Sequence, residues 1–143
     1  MEKSIEVRLT RLARRIFAQY KSQLTPEYAR QLDKAIGICE AYQHGEGSWS
    51  NMYEVILCDD GIWEYSEGLG DFSKELRTMW VMETCILMCS CWLGCQKEQD
   101  IEPENMDIRG ENIPAFLTFL EGLPDSLPDC AQIWEYWNKN LCW

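Results

Sequence analysis

Residues 73–96 read SKELRTMWVMETCILMCSCWLGCQ, and the architecture of the chain turns on how this stretch is taken. Between Arg77 and Lys97 the only charged residue is Glu83, and apolar side chains fall on every face of a helix drawn through it. A helix that is hydrophobic all round is either the centre of a bundle or a membrane span. The length is close to the minimum for a span, but Glu83, Thr84, Ser90 and four cysteines make poor hydrocarbon. The neighbouring segments are amphipathic and need an apolar partner to pack on. The stretch is therefore predicted as the buried central helix of a bundle, and no membrane is expected as a partner.

Working outward, Ile5, Leu9, Leu12, Ile16, Tyr20 and Leu24 recur at steps of three or four and mark one helical face. Ser4 stands ready as its N-cap, and Arg8, Arg11, Arg14 and Arg15 fall mostly outside the face. Thr25-Pro26 opens a second helix with a cap and a proline whose missing N–H costs nothing there. Tyr28, Leu32, Ala35, Ile36 and Cys39 give its stripe, and Gly45 and Gly47 end it. The short junction predicts an antiparallel hairpin. Trp49, Met52, Tyr53, Ile56 and Leu57 repeat the helical spacing more briefly, up to Asp59-Asp60-Gly61. The segment IWEYSEGLGDFS reads as a helical turn and loop, and residues 98–111 as a polar loop. Ile113, Phe116, Leu117 and Leu120 make a short helix closed by Gly122. Cys130, Ile133, Trp134, Trp137 and Leu141 face a last one, which Ser126 to Asp129 opens as a capping box. No segment sustains an alternation of period two. The expected fold is all-α: a single domain over residues 1–143, with about six helices around the central apolar one.

Composition agrees with one folded domain. The chain has 143 residues, is 46% hydrophobic and 12% aromatic, and carries a net charge of −11. The charge is unevenly placed: residues 1–36 hold eight basic and four acidic side chains, residues 37–143 five basic and twenty acidic. Such a field repels nucleic acid and anionic lipid and attracts basic partners, so no nucleic acid is expected as a partner. The start, MEKSIEVRLTRLARRIFAQYK, spaces its apolar residues among charges and does not read as a secretory signal. The eight cysteines are then expected as reduced thiols and the location as cytoplasmic.

The residues that could carry chemistry were weighed in turn. Cys85, Cys89, Cys91 and Cys95 follow C-x3-C-x-C-x3-C within one helix, which places Cys85 and Cys89 on one face and Cys91 and Cys95 on another. All four cannot reach one ion without a break in the helix. A two-thiolate half-site completed by Cys39, Cys58 or His44, as in a metal or redox sensor, is the alternative to small buried residues that let helices approach. His44 sits at a helix end, where a cation complements the dipole. Asp59-Asp60 and Glu64 with Glu67 are acidic pairs able to hold Mg²⁺ in a nucleotide hydrolase, but the cationic clamp of such sites is missing. Glu83 is expected to have a raised pKa or a buried partner, with an ion pair to Arg77 or a first-helix arginine preferred over a general acid. No GxSxG, P-loop, HExxH or dinucleotide fingerprint occurs. The chain is read as a non-enzyme that needs no cofactor or metal.

Residues 49–75, WSNMYEVILCDDGIWEYSEGLGDFSKE, interleave carboxylates with aromatic rings. Interfaces concentrate energy in aromatic anchors and draw rate and selectivity from charge. Glu54, Asp59, Asp60, Trp63, Glu64, Glu67 and Asp71 are accordingly the expected partner-binding residues. Trp49 and Tyr53 are assigned to the core. On the last helix Tyr136, with Cys142 and Trp143 near the terminus, reads either as a self-association stripe or as a frayed end.

With its length, acidity, helical layout, richness in tryptophan and the Asp-Asp-Gly-Ile-Trp-Glu segment at 59–64, the chain resembles the small all-helical immunity proteins of bacterial polymorphic toxin systems, including contact-dependent growth inhibition. That resemblance implies a cytoplasmic antidote that binds one cognate toxin domain, a basic nuclease-type one given the acidic surface. It transfers no individual residue.

Overall fold

A computed structural model of the chain describes residues 4–58, 74–97, 108–123 and 130–142, and shows an all-α bundle. Six α-helices are present among these residues: α1 (Ile5–Tyr20), α2 (Pro26–Gln43), α3 (Trp49–Tyr53), α4 (Lys74–Lys97), α5 (Ile113–Glu121) and α6 (Cys130–Asn140). The boundaries follow local chemistry. Ser4 Oγ accepts from the Val7 amide at 3.3 Å to cap α1, and Thr25 Oγ1 does the same for Tyr28 at 3.3 Å to cap α2, with Pro26 in the first turn. α2 ends with His44 at its C-cap and Gly45 in the left-handed region, φ 76°. The Gly45 amide then donates to the Tyr42 carbonyl and the Glu46 amide to that of Ala41, at 3.1 and 2.9 Å, satisfying the last turn.

α4 is the hub. It packs against α1, α2, α3, α5 and α6, and α1 lies against α2 in the predicted antiparallel hairpin. From Thr78 to Leu87 every residue of α4 is buried, Glu83 and Thr84 included. Each surrounding helix contributes a single stripe: Leu9, Leu12, Ala13 and Ile16 from α1, Leu32, Ala35, Ile36 and Cys39 from α2, Phe116, Leu117 and Leu120 from α5, Ile133 and Trp137 from α6. These residues form one continuous apolar cluster. No helix among the described residues is long and apolar enough to cross a membrane.

Two details depart from simple periodicity. The helix expected over 49–57 stays α-helical only to Tyr53 and then widens into a π-helical turn, Glu54–Cys58. The turn carries both Val55 and Ile56 inward and leaves Glu54 exposed. The polar loop expected over 98–111 is, at its described end, tied to the C-terminus: Ile108 bridges Cys142 in antiparallel fashion, Arg109 N–H donates to the Leu141 carbonyl at 2.7 Å, and Asn112 Nδ2 donates to the Asn140 carbonyl. The expected stop at Asp59-Asp60-Gly61, the turn over 62–73 and the capping box at Ser126 lie outside the described residues.

Two glycines allow close helix approaches. A Cβ at Gly110 would sit 2.0 to 2.7 Å from the Trp92 indole, and one at Gly94 would sit 2.2 Å from Met52 Cε. An indole is rigid, whereas the end of a methionine can swing aside. Gly110→Ala is therefore expected to lower unfolding stability by about 1–3 kcal/mol through overpacking, and Gly94→Ala by less, because better helix propensity offsets the crowding. Urea titrations of the two variants, read by tryptophan fluorescence, check the order.

Candidate protein-binding surface

The described part of the expected binding segment is short. Ser48 caps α3 by accepting from the Asn51 amide at 3.2 Å, and Met52, Val55 and Ile56 fix α3 and its π-turn on the core. Trp49 is half-buried against the same cluster, in keeping with its assignment to the core. Glu54 projects from the π-turn to solvent. Asp59, Asp60, Trp63, Glu64, Glu67 and Asp71 lie outside the described residues, as does the side chain of Tyr53.

Arg8 and Arg14, two of the four arginines of α1, are tied to neighbouring helices. Arg8 pairs with Glu121 of α5, and Arg14 pairs with both Asp33 and Glu40 of α2. Arg14 Nη2 lies 2.9 Å from Glu40 Oε1, and its Nε is shared between both Glu40 oxygens at 3.2 Å. The Glu40 hydrogen bonds, aided by Asp33, push the Arg14 pKa above its usual value despite partial burial. From the other side, Lys97 of α4 reaches Glu6 of α1 at 3.1 Å. Burial would raise the Glu6 pKa, but the Lys97 hydrogen bond and charge lower it on balance. Each such half-exposed pair contributes about 0–1 kcal/mol, so their effect is on register and surface charge more than on stability.

Between α1 and α2 a polar groove of about 490 Å³ runs past Arg11, Gly37, Glu40, His44 and Glu46. Its floor is a side-chain relay in which Thr10 Oγ1 bonds Gln43 Oε1 at 3.2 Å and Gln43 Nε2 donates to the Glu6 carbonyl at 2.9 Å. Periodicity could not show this groove, because it joins residues more than thirty positions apart.

Glu83 has no exposed surface, and neither carboxyl oxygen finds a hydrogen-bond partner among the described residues. Burial pushes its pKa well above the ordinary range, and the nearby Arg14 guanidinium only partly counters this. The expected ion pair with Arg77 is not formed: Arg77 is exposed on α4, and Arg14 spends its hydrogen bonds on α2. Burial thus favours the neutral acid over an isolated buried charge. Thr84 and Ser90 likewise bury hydroxyls without partners among the described residues.

The thiols Cys39, Cys85, Cys89 and Cys91 are all buried. Burial raises the Cys39 pKa to about 12 and moves those of Cys85 and Cys89 strongly upward as well. Among the described residues no three of His, Cys, Asp and Glu converge on a point that could hold a metal ion.

No protein-family model matches the chain, and no curated protein or solved structure does so either.

Two predictions follow from the buried groups. Since the folded pKa of Glu83 lies above its unfolded value of about 4.3, its neutral form is favoured by folding. Its contribution is therefore full below that pH and is lost as pH rises through the raised folded value. Relative to the native chain, Glu83→Gln should gain stability as pH rises over that window, by about 1–3 kcal/mol; denaturant titrations of both at a series of pH values measure the difference. For the thiols, iodoacetamide on the folded chain should alkylate the half-exposed Cys130 and Cys142 well before Cys39, Cys85, Cys89 and Cys91, as read by peptide mass mapping.

Proposed function

We propose that the chain is an immunity protein, one that binds and neutralises a cognate basic, nuclease-type toxin domain. The observation that carries this reading is the disposition of charge. Arg8 and Arg14 of the first helix are engaged by carboxylates of neighbouring helices, and the sequence after residue 36 encodes a large excess of acid, so the net field that a partner approaches is negative. A cationic cleft shaped for nucleic acid is the complementary surface. Glu54 stands at the start of the acidic, aromatic segment that continues through Asp59, Asp60, Trp63, Glu64, Glu67 and Asp71. Its π-turn adds support, because isolated π-turns recur at functional sites, where they re-aim the chain.

In this reading the carboxylates steer association and occupy the positions that phosphates would take, while the aromatic rings supply the desolvated anchor. The blocked toxin is inhibited by exclusion, without chemistry on either protein.

The test pairs the purified chain with a candidate nuclease toxin domain, the first choice being any encoded in a neighbouring gene. Equimolar chain should abolish nuclease activity, with an association rate that falls as salt is raised. Reversing Asp59, Asp60, Glu64 and Glu67 together should slow association by about tenfold and flatten the salt dependence. A nuclease that stays active beside a stoichiometric amount of folded chain would sink the proposal. Unchanged association of the reversed variant would move the surface elsewhere on the molecule.

A further inference from the structure

We propose that the outer face of the α5–α6 pair is a self-association surface that takes a second copy of this chain about a two-fold axis. The two helices meet through aromatic rings. Phe116 lies against Tyr136 and Trp137 with centroids 5.5 Å apart, and Phe119 stacks on Tyr136 at 4.5 Å with the rings 8° from parallel. Phe116 and Trp137 are buried, whereas Phe119 and Tyr136 remain half-exposed and line an open groove of about 440 Å³. Asn140 Nδ2 donates to the Tyr136 carbonyl at 3.1 Å and fixes one end of the groove.

Charge selects the occupant. The groove is rimmed by Glu135 and Lys139, both exposed and one helical turn apart, and they pair neither with each other nor with any other described residue. One acid and one base separated by about 6 Å along a helix form a self-complementary set. Laid antiparallel across a two-fold axis at the level of Trp137, Glu135 of each copy meets Lys139 of the other, and the Phe119–Tyr136 stacks meet between the two pairs. The patch is locally neutral on a chain of net charge −11, so two copies approach here without the repulsion they would feel at the acidic surface. Lys139 in the last turn also complements the α6 dipole, and the i,i+4 order of Glu135 and Lys139 suits an exposed helix face.

The self-complementarity gives a charge-swap test that leaves the core untouched. Sedimentation equilibrium of the native chain should show an average mass that climbs from 16.8 kDa towards twice that value with concentration. Glu135→Lys and Lys139→Glu, each alone, place like charges opposite one another and should weaken the dimer by about tenfold. The double variant E135K/K139E restores both pairs and should dimerise like the native chain. An equimolar mixture of the two single variants should form the heterodimer. Glu135→Lys is the decisive arm, because it lowers the net negative charge and would favour association if overall repulsion alone governed it. Circular dichroism confirms that each variant is folded. A native chain that stays at 16.8 kDa up to roughly millimolar concentration overturns the proposal and leaves the face to a different protein. So does a dimer indifferent to both single reversals, or a double variant no better than the singles. None of these readouts involves the toxin, so the outcome is independent of the proposed inhibitory function.

Discussion

The fold depends on one obligation, the removal of α4 from water on every side. A continuous run of buried residues from Thr78 to Leu87 cannot be covered by one partner helix, since each neighbour supplies an apolar stripe about a third of a turn wide. Five helices are therefore gathered around α4, and their own short lengths matter little. α3 has five residues and α5 nine, too short to be stable helices alone. They persist because Met52, Ile56, Phe116 and Leu117 are held against the hub. At about 1.5–3 kcal/mol for each large side chain buried, contact with α4 outweighs local propensity throughout the bundle.

The same obligation explains where ionic pairing is used. α1 touches α2, α4 and α5, and it reaches each of them with one charged side chain: Arg14 to α2, Glu6 to α4, Arg8 to α5. Apolar packing is non-directional and tolerates a helix sliding by a turn, whereas these pairs form at one register only. Glu83 is the exception. It lies on the hub itself, within the influence of Arg14 but without a hydrogen bond from the described residues, so it opposes the packing that surrounds it, and burial favours its neutral form. Stability alone does not call for a glutamic acid there, and Gln or Met would fill the same volume.

The architecture was legible in the sequence because helical periodicity is a local signal. Ser4, Thr25-Pro26, Gly45 and Gly122 marked ends that the structure has, and the stripes of α1, α2, α5 and α6 were written at steps of three and four. What escaped was non-local. Nothing in the spacing showed that Trp92 rests on Gly110, that Ile108 joins Cys142, or that Arg14 turns to α2 and leaves Glu83 alone. The π-turn at Glu54–Cys58 was missed because its apolar pattern also fits an α-helix. For the candidate surface, composition identified the acidic segment, but only Glu54 of its named residues falls where the structure is described. The aromatic face was half seen: Tyr136 stood out, and Phe119 did not, because the two are seventeen residues apart and meet only where α5 and α6 pack together.

The two proposed surfaces would differ in local charge. Over a Debye length of about 8 Å at physiological salt, a surface is read by its local charge more than by the total on the molecule. In the proposed reading, the acidic segment after α3 would repel its own copies and attract a cationic protein. The proposed α5–α6 face, neutral and aromatic, offers a cationic protein nothing beyond Glu135, which Lys139 offsets one turn away. Raising salt should weaken steering at the acidic segment, and it would screen the exposed Glu135–Lys139 pairs of the proposed dimer as well. The tied cations of α1 make this division sharper. Had Arg8 and Arg14 been free, the first helix would present more positive charge to the acidic side chains of a second copy. Closing those arginines onto Glu121, Asp33 and Glu40 within the fold offsets that charge at the cost of about a kilocalorie or less in either direction.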